Sequence, residues 1–354
     1  MVCIRADAGK NTGIGHVMRC LSLADAFRDL GEKVIFVSAD ENAREIVEPR
    51  GYECEILHTD HRDMAGETGR LKATQAYKQA DLFIADSYYI ADDYIEEISS
   101  EKKIAFFDDL CEKAYSADVV INYNLYAEEN SYKELYGNPG KDVVFLTGPG
   151  YAPLRREFSE NAERRTVQNA DKALIMTGGA DSQHIGLRIA FEIVSRRKTG
   201  SINDQMRYDI VVGALSDDYL KLKELERESG GAIRILRGVS DMKGLMEESD
   251  MALSAAGSTL YELCACGVPT ITYVLADNQI NGEKAFTEKG IMLSAGDARN
   301  NESFGKKACD MLERLAGDRA LRERMSANGK SLVDGKGAMR LAKKLMKITG
   351  RKFQ

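Results

Sequence analysis

The opening stretch "MVCIRADAGKNTGIGHVMRCLSLADAFRDLG" (residues 1–31) decides how the chain folds. "VCIRA" (2–6) is a short apolar run of strand length, and from His16 to residue 30 apolar side chains recur with helical spacing. Between the two, Gly13-Ile14-Gly15 marks a strand-to-helix corner. Glycines at such a corner let the backbone approach a ligand, and the first turn of the helix offers free N–H groups to an anion.

The same alternation runs through the rest of the chain. Strand-like runs follow at "KVIFVSA", "CEIL", "LFIADS", "IAFFDD" and "VVINY", with helical patterns at 16–30, 63–79 and 91–101. A second series, "ALIMT", "YDIVVG", "IRILRG", "MALSA", "TITYV" and "IMLSA", alternates with helical patterns at 184–197, 217–229, 240–248, 258–266 and 301–316. Strands alternating with helices at this spacing predict parallel sheets with helices on both faces, built twice over. The changeover falls in "GPGYAPLRREFSENAERRTVQNADK" (148–172), which begins with turn residues and ends charged and poor in apolar side chains. The expected organisation is one domain over 1–155, a linker around 155–170, a second domain over 170–335 and a C-terminal helix over 336–354. Two doubly wound domains would hold a ligand in a cleft at the carboxyl ends of their sheets.

Composition narrows the function classes. At 354 residues the chain exceeds what one core supports. A net charge of −7 disfavours nucleic acid and anionic lipid as partners. No charged-then-apolar leader precedes "VCIRA", so a cytoplasmic protein without a secretory signal is expected. The most apolar long stretch (251–276) holds Glu262, a Gly-Ser-Thr corner and Gly-Val-Pro, so it breaks into strand, helix and strand and does not insert in a membrane. The seven cysteines are scattered through apolar runs without paired zinc spacing, which reads as buried reduced thiols; no metal and no cofactor is expected. No hydrophobic patch for a lipid acceptor is evident, and the oligomeric state is not legible.

Three corners could carry chemistry. The first lacks the third glycine of a dinucleotide fingerprint, Met18 standing in its place, and instead presents His16 at the start of a helix. A helix N-terminus disfavours imidazolium and keeps the ring neutral, as a general base must be. Asp7 is close to His16 in sequence, suited to orienting the imidazole or contacting the substrate, and Asp86 ends a strand where it could face the cleft. The second corner is "IMTGGADSQ" (175–183), where the Gly178 and Gly179 amides can cradle phosphate oxygens. The third is "SAAGSTLYELCACGVPTITYVLADNQINGE" (254–283). There Ser258 and Thr259 cap a helix start, and Glu262 either closes a capping box with Thr259 or reaches a ribose diol; Asn278 and Gln279 supply amides at the next strand end.

Taken in order, "RADAGKNTGIGHVMRCLSLA", "ADLFIADSYYI", "FFDDL", "ADVVINYN", "LTGPGYAPLRREF", "MTGGADSQ" and the third corner resemble the UDP-sugar hydrolases of pseudaminic acid biosynthesis and the related spore-coat polysaccharide proteins, from residue 1 to about 290. The third corner also resembles the nucleotide-binding end of the glycosyltransferase that makes lipid II. The resemblance implies a GT-B architecture, an α/β fold of two Rossmann-like domains with UDP held mainly by the C-terminal one. It implies metal-independent hydrolysis of UDP-2,4-diacetamido-2,4,6-trideoxy-β-L-altrose to free sugar and UDP, with inversion. On it, His16 matches the catalytic histidine and Glu262 the acidic residue on the ribose. Gly178, Gly179 and Ser258 match nucleotide and phosphate contacts, and Asn278 and Gln279 the residues facing the sugar; with the nucleotide held there, the glycines of the first corner, Gly13 and Gly15, are read as letting sugar and diphosphate come close to His16. A glycosyltransferase acting on a UDP-sugar donor is the competing reading.

Overall fold

In the computed structural model, residues 1–9, 13–137, 142–160, 166–179, 181–200, 205–213 and 216–350 are described. The chain divides into two compact units. The first runs from Met1 to Ser159 and takes back the chain from Gly335 onward; the second is Glu160–Asp334.

The first unit holds a seven-stranded sheet of β1 (Val2–Ala6), β2 (Val34–Ser38), β3 (Glu53–Ile56), β4 (Leu82–Asp86), β5 (Lys103–Phe107), β6 (Val119–Asn122) and β7 (Val144–Thr147). Its strand order is β3-β2-β1-β4-β5-β6-β7, and every pairing is parallel. β1 is buried along its whole length, as a strand covered by helices on both faces must be. One helical layer includes Gly15–Asp29, whose Val17, Cys20, Leu21, Ala24 and Phe27 are buried. The last helix, Gly337–Ile348, buries Ala338, Leu341, Ala342 and Leu345 and leaves Lys343, Lys344 and Lys347 exposed, so it packs within this unit. Its attachment is backbone to backbone: a Cβ on Gly337 would lie 2.1 Å from the Ala152 carbonyl oxygen, and one on Gly335 1.9 Å from that of Phe158. The sequence pattern did not single out β7, whose "VFLT" is fully buried only at Leu146.

The second unit repeats the plan with six parallel strands: β8 (Lys172–Met176), β9 (Arg207–Val212), β10 (Ile233–Arg237), β11 (Met251–Ala255), β12 (Thr270–Val274) and β13 (Met292–Asp297). They are ordered β10-β9-β8-β11-β12-β13. Strand order reverses between β1 and β4 in one unit and between β8 and β11 in the other, the place where doubly wound sheets open a crevice at their strand ends. The linker expected around 155–170 is partly outside the described residues, since 161–165 are not described. Among the described residues all seven cysteines are free, six of them buried, and no helix is long and apolar enough to cross a membrane.

Candidate active site

In the first unit the switch point carries a dense polar cluster. His16 is the second residue of the helix Gly15–Asp29, delivered by the turn after β1, and Asp86 is the last residue of β4. The adjacent strands therefore bring together residues seventy apart in sequence: His16 Nδ1 lies 2.5 Å from Asp86 Oδ1. Arg19, one helical turn beyond His16, grips the same carboxylate with both arms of its fork, Nε to Oδ2 at 2.6 Å and Nη2 to Oδ1 at 2.6 Å. Its other face donates to Asp109 Oδ1 and Oδ2 at 2.8 Å each and to the Tyr123 hydroxyl at 3.1 Å. The guanidinium also packs over the rings of Phe107 and Tyr123.

Burial alone would push the Asp86 carboxyl up, but Arg19 and then His16 outweigh it and hold it well below the usual carboxylate range. Burial likewise disfavours the Arg19 cation, yet Asp109 and Asp86 keep it firmly protonated. Both Asp86 oxygens are thus acceptors, so Nδ1 of His16 is assigned the donor and a neutral ring keeps its lone pair on Nε2. Tyr88 meets the imidazole edge-on, ring centres 4.6 Å apart. A base held by a buried carboxylate through Nδ1, with Nε2 left as the acceptor, is the arrangement that lets histidine take a proton from water or a hydroxyl.

Two expectations are corrected here. Asp86 is 1 % exposed and its oxygens are taken by His16 and Arg19, so it is a buried partner of His16 and not a carboxylate open at the strand end. Asp7 does not orient the imidazole: its Oδ1 accepts from Ser38 Oγ at 3.0 Å and the Ala39 amide at 2.9 Å and pairs with Arg5 Nη1 at 2.6 Å. The strand order explains both, since β1 lies between β2 and β4, and Asp7 is turned to β2 while His16 is turned to β4. Arg19, Asp109 and Tyr88 were missed; the His16–Arg19 spacing of one helical turn is the signal that could have found Arg19. Gly13 takes φ +72 and pairs across the loop with Gly9, and a Cβ on Gly15 would meet nothing within 4 Å. Ile14, Tyr88, Tyr89 and Leu110, in the segments following β1, β4 and β5, are exposed large apolar side chains.

In the second unit the corner after β8 is built by close backbone approach. Gly178 takes φ +84, and a Cβ on Gly213, after β9, would lie 2.1 Å from the Gly179 carbonyl oxygen. Asp181, buried and with φ 47, accepts from the Ile185 and Gly186 amides at 2.8 and 2.9 Å. It thereby occupies amides at the start of the helix Ile185–Thr199, and burial pushes its carboxyl up. Across the switch point, after β11, Ser258 precedes the helix Thr259–Cys266 and is exposed, and its hydroxyl makes no capping bond. Thr259 is already helical, so the Thr259–Glu262 capping box does not form; Glu262 lies half-buried in the first turn. Asn278 is exposed in the 3₁₀ turn after β12, while Gln279 is half-buried and accepts from the Leu275 amide through Oε1 at 2.8 Å.

Two switch-point corners on two Rossmann-like units define the class: the chain has the GT-B fold. Acinetobacter baumannii MurG superposes with a TM-score of 0.67 at 14% identity, covering 98% of this chain and 99% of that one. The Staphylococcus aureus MnaA–UDP co-structure does so at 0.66 and 11% identity, covering 100% and 98%. No family model matches the chain. In sequence the chain is similar to the spore coat polysaccharide biosynthesis protein SpsG of Bacillus subtilis, 24% identical over 355 residues and covering 96% of each. It is also similar to the UDP-2,4-diacetamido-2,4,6-trideoxy-beta-L-altropyranose hydrolase of Campylobacter jejuni, 25% identical over 279 residues, 77% of this chain and 92% of that one. An uncharacterized Methanocaldococcus jannaschii protein, MJ1062, is 26% identical over 294 residues, and there the match spans 80% of this chain but only 57% of the relative. The chain is thus similar to both kinds of protein that its motifs resemble, the altropyranose hydrolase and SpsG.

Proposed function

We propose that the protein hydrolyses a UDP-linked diacetamido trideoxy sugar to free sugar and UDP, in pseudaminic acid or related surface-polysaccharide biosynthesis. The observation that carries this reading is the buried Arg19–Asp86–His16 relay, which leaves Nε2 of His16 as a base. In the proposed step a water oxygen attacks the anomeric carbon while His16 Nε2 takes the water proton. The anomeric C–O bond breaks, its electron pair leaves on the diphosphate oxygen, and the sugar inverts. UDP departs as a stable anion, so the second carboxylic acid of ordinary glycosidases is not required. The Asp86 carboxylate behind the ring favours the imidazolium as it forms.

The second unit is assigned the nucleotide: amides of Gly178 and Gly179 and the Ser258 hydroxyl for the diphosphate, Glu262 for the ribose diol, with Thr259, Asn278 and Gln279 beside them. Gly13 and Gly15 leave room for sugar and diphosphate beside His16. The likeness to the UDP-2,4-diacetamido-2,4,6-trideoxy-beta-L-altropyranose hydrolase supports a UDP-linked sugar as the substrate. The resemblance implies that neither metal nor cofactor is needed, and a cytoplasmic location fits a nucleotide-sugar donor.

A glycosyltransferase on the same donor is the second reading. It is favoured by one observation, the exposed Ile14, Tyr88, Tyr89 and Leu110 in the segments after β1, β4 and β5, which offer apolar surface to an acceptor. Incubation with the UDP-diacetamido-trideoxy-altrose donor, followed by NMR, separates the two. UDP and free sugar released without added acceptor support hydrolysis; release only when an acceptor is supplied overturns it.

A further inference from the structure

The second unit contains a histidine–aspartate pair that the proposed chemistry leaves unused. His184 immediately precedes the helix Ile185–Thr199, six residues beyond Gly178, and its Nδ1 lies 2.7 Å from Asp218 Oδ2. Asp218 is 3 % exposed, whereas the His184 side chain is 61 % exposed. A buried carboxylate anchoring an exposed imidazole is an uneven pair. A surface ion pair of two mobile groups contributes little, and nothing in folding requires the ring to be fixed on the outside of the protein. What the anchor does accomplish is orientation: with Nδ1 committed to Asp218, Nε2 on the far side of the ring is held outward at one angle.

The backbone is also held in an uncommon state to present that ring. His184 has φ 53 and Asp181 φ 47, both non-glycine residues in the left-handed region. Asp181 fixes the turn by accepting from the Ile185 and Gly186 amides, and the His184 amide donates to the Asp181 carbonyl at 2.9 Å. Because Asp181 has taken those two helix-start amides, an anion at this corner must find other donors, and the oriented imidazole is one.

We infer that His184, held by Asp218, is a phosphate-binding residue: as the imidazolium, with one N–H on Nδ1 given to Asp218, it carries a second N–H on Nε2 that donates to an oxygen of the nucleoside diphosphate at the Gly178–Gly179 corner. This rests on the assignment of the nucleotide to the second unit and adds to it a side-chain donor that discriminates a diphosphate from a bare nucleoside.

The test uses full-length protein and measures binding of UDP and of uridine to wild type, His184→Asn and His184→Gln by calorimetry and competition. Asparagine tolerates the left-handed backbone and can place an amide N–H where Nδ1 was, but has no atom to replace Nε2. Glutamine reaches to the Nε2 position. The expected result is a ten- to hundredfold loss of UDP affinity in His184→Asn, the order expected for a lost hydrogen bond to a charged group. Uridine affinity and the thermal midpoint of the free protein should stay as in wild type, and His184→Gln should recover part of the loss. Unchanged UDP affinity in His184→Asn, or equal weakening of UDP and uridine, overturns the inference while leaving the nucleotide assignment standing. Wild-type protein that binds neither ligand overturns both.

Discussion

Replacing Asp86 by asparagine changes one atom and tests the positioning of the base. Asp86 accepts from His16 Nδ1 at 2.5 Å and from Arg19 Nε and Nη2 at 2.6 Å each, with the Cys20 thiol 3.3 Å away. Each of these charge-assisted bonds is worth about 1.5–3 kcal/mol. An asparagine NH₂ meets a donor of the wild-type arrangement on either side. On the Oδ2 side it faces Arg19 Nε, which breaks the fork; on the Oδ1 side it faces His16, which must then give up the Nδ1 proton and lose its basic Nε2. Asp109 still holds Arg19 through two bonds of 2.8 Å, so the cation is not stranded. The stability loss should therefore fall below the ~3–5 kcal/mol of a broken buried pair. Turnover should suffer more, with kcat falling about 10²- to 10⁴-fold, or roughly 3–5 kcal/mol in the barrier. UDP release at saturating donor, measured beside thermal unfolding, reads both quantities. A variant that turns over within threefold of wild type would refute the assignment of Asp86 as the residue that orients His16. The wild-type carboxylate also sets a pH expectation. Its native pKa is depressed, so its contribution to stability is present above the unfolded carboxyl value and is lost only as pH falls through the lower native one. Unfolding free energies measured between pH 8 and 5 should show no loss from this group.

Other perturbations separate the remaining roles. His16→Asn should abolish turnover while UDP still binds; lost UDP affinity with normal turnover at saturation would make His16 a binding residue. Glu262→Ala should raise KM far more than it lowers kcat, and an unchanged KM would leave Glu262 with no part in holding the ribose. Gly213→Ala would place a Cβ 2.1 Å from the Gly179 carbonyl oxygen, an overlap only backbone movement can relieve. Overpacking of this kind costs about 1–3 kcal/mol. The variant should show a lowered unfolding midpoint and weakened UDP binding together, and a variant with wild-type values for both would show the corner to be more compliant than its contacts indicate.

Much of this protein was determined by local sequence. A strand of five buried residues, a glycine corner and an amphipathic helix can form only a parallel α/β unit, and their repetition predicts two doubly wound sheets. The glycine corners, the helix start beside His16 and the burial of six of the seven cysteines follow from residue type and spacing alone. What tertiary structure decided is which side chains meet. Sequence proximity suggested Asp7 as the partner of His16, but β1 lies between β2 and β4, so Asp7 joins Ser38 on one side while His16 meets Asp86 on the other. Arg19 acquires its partners Asp86 and Asp109 only when strands sixty-seven and ninety residues away are laid beside the helix. His184 finds Asp218 in the same way, across the neighbouring strand connection. Local patterning specifies elements because backbone periodicity is local; the partners of a charged side chain are set by strand order, which no short stretch of sequence encodes.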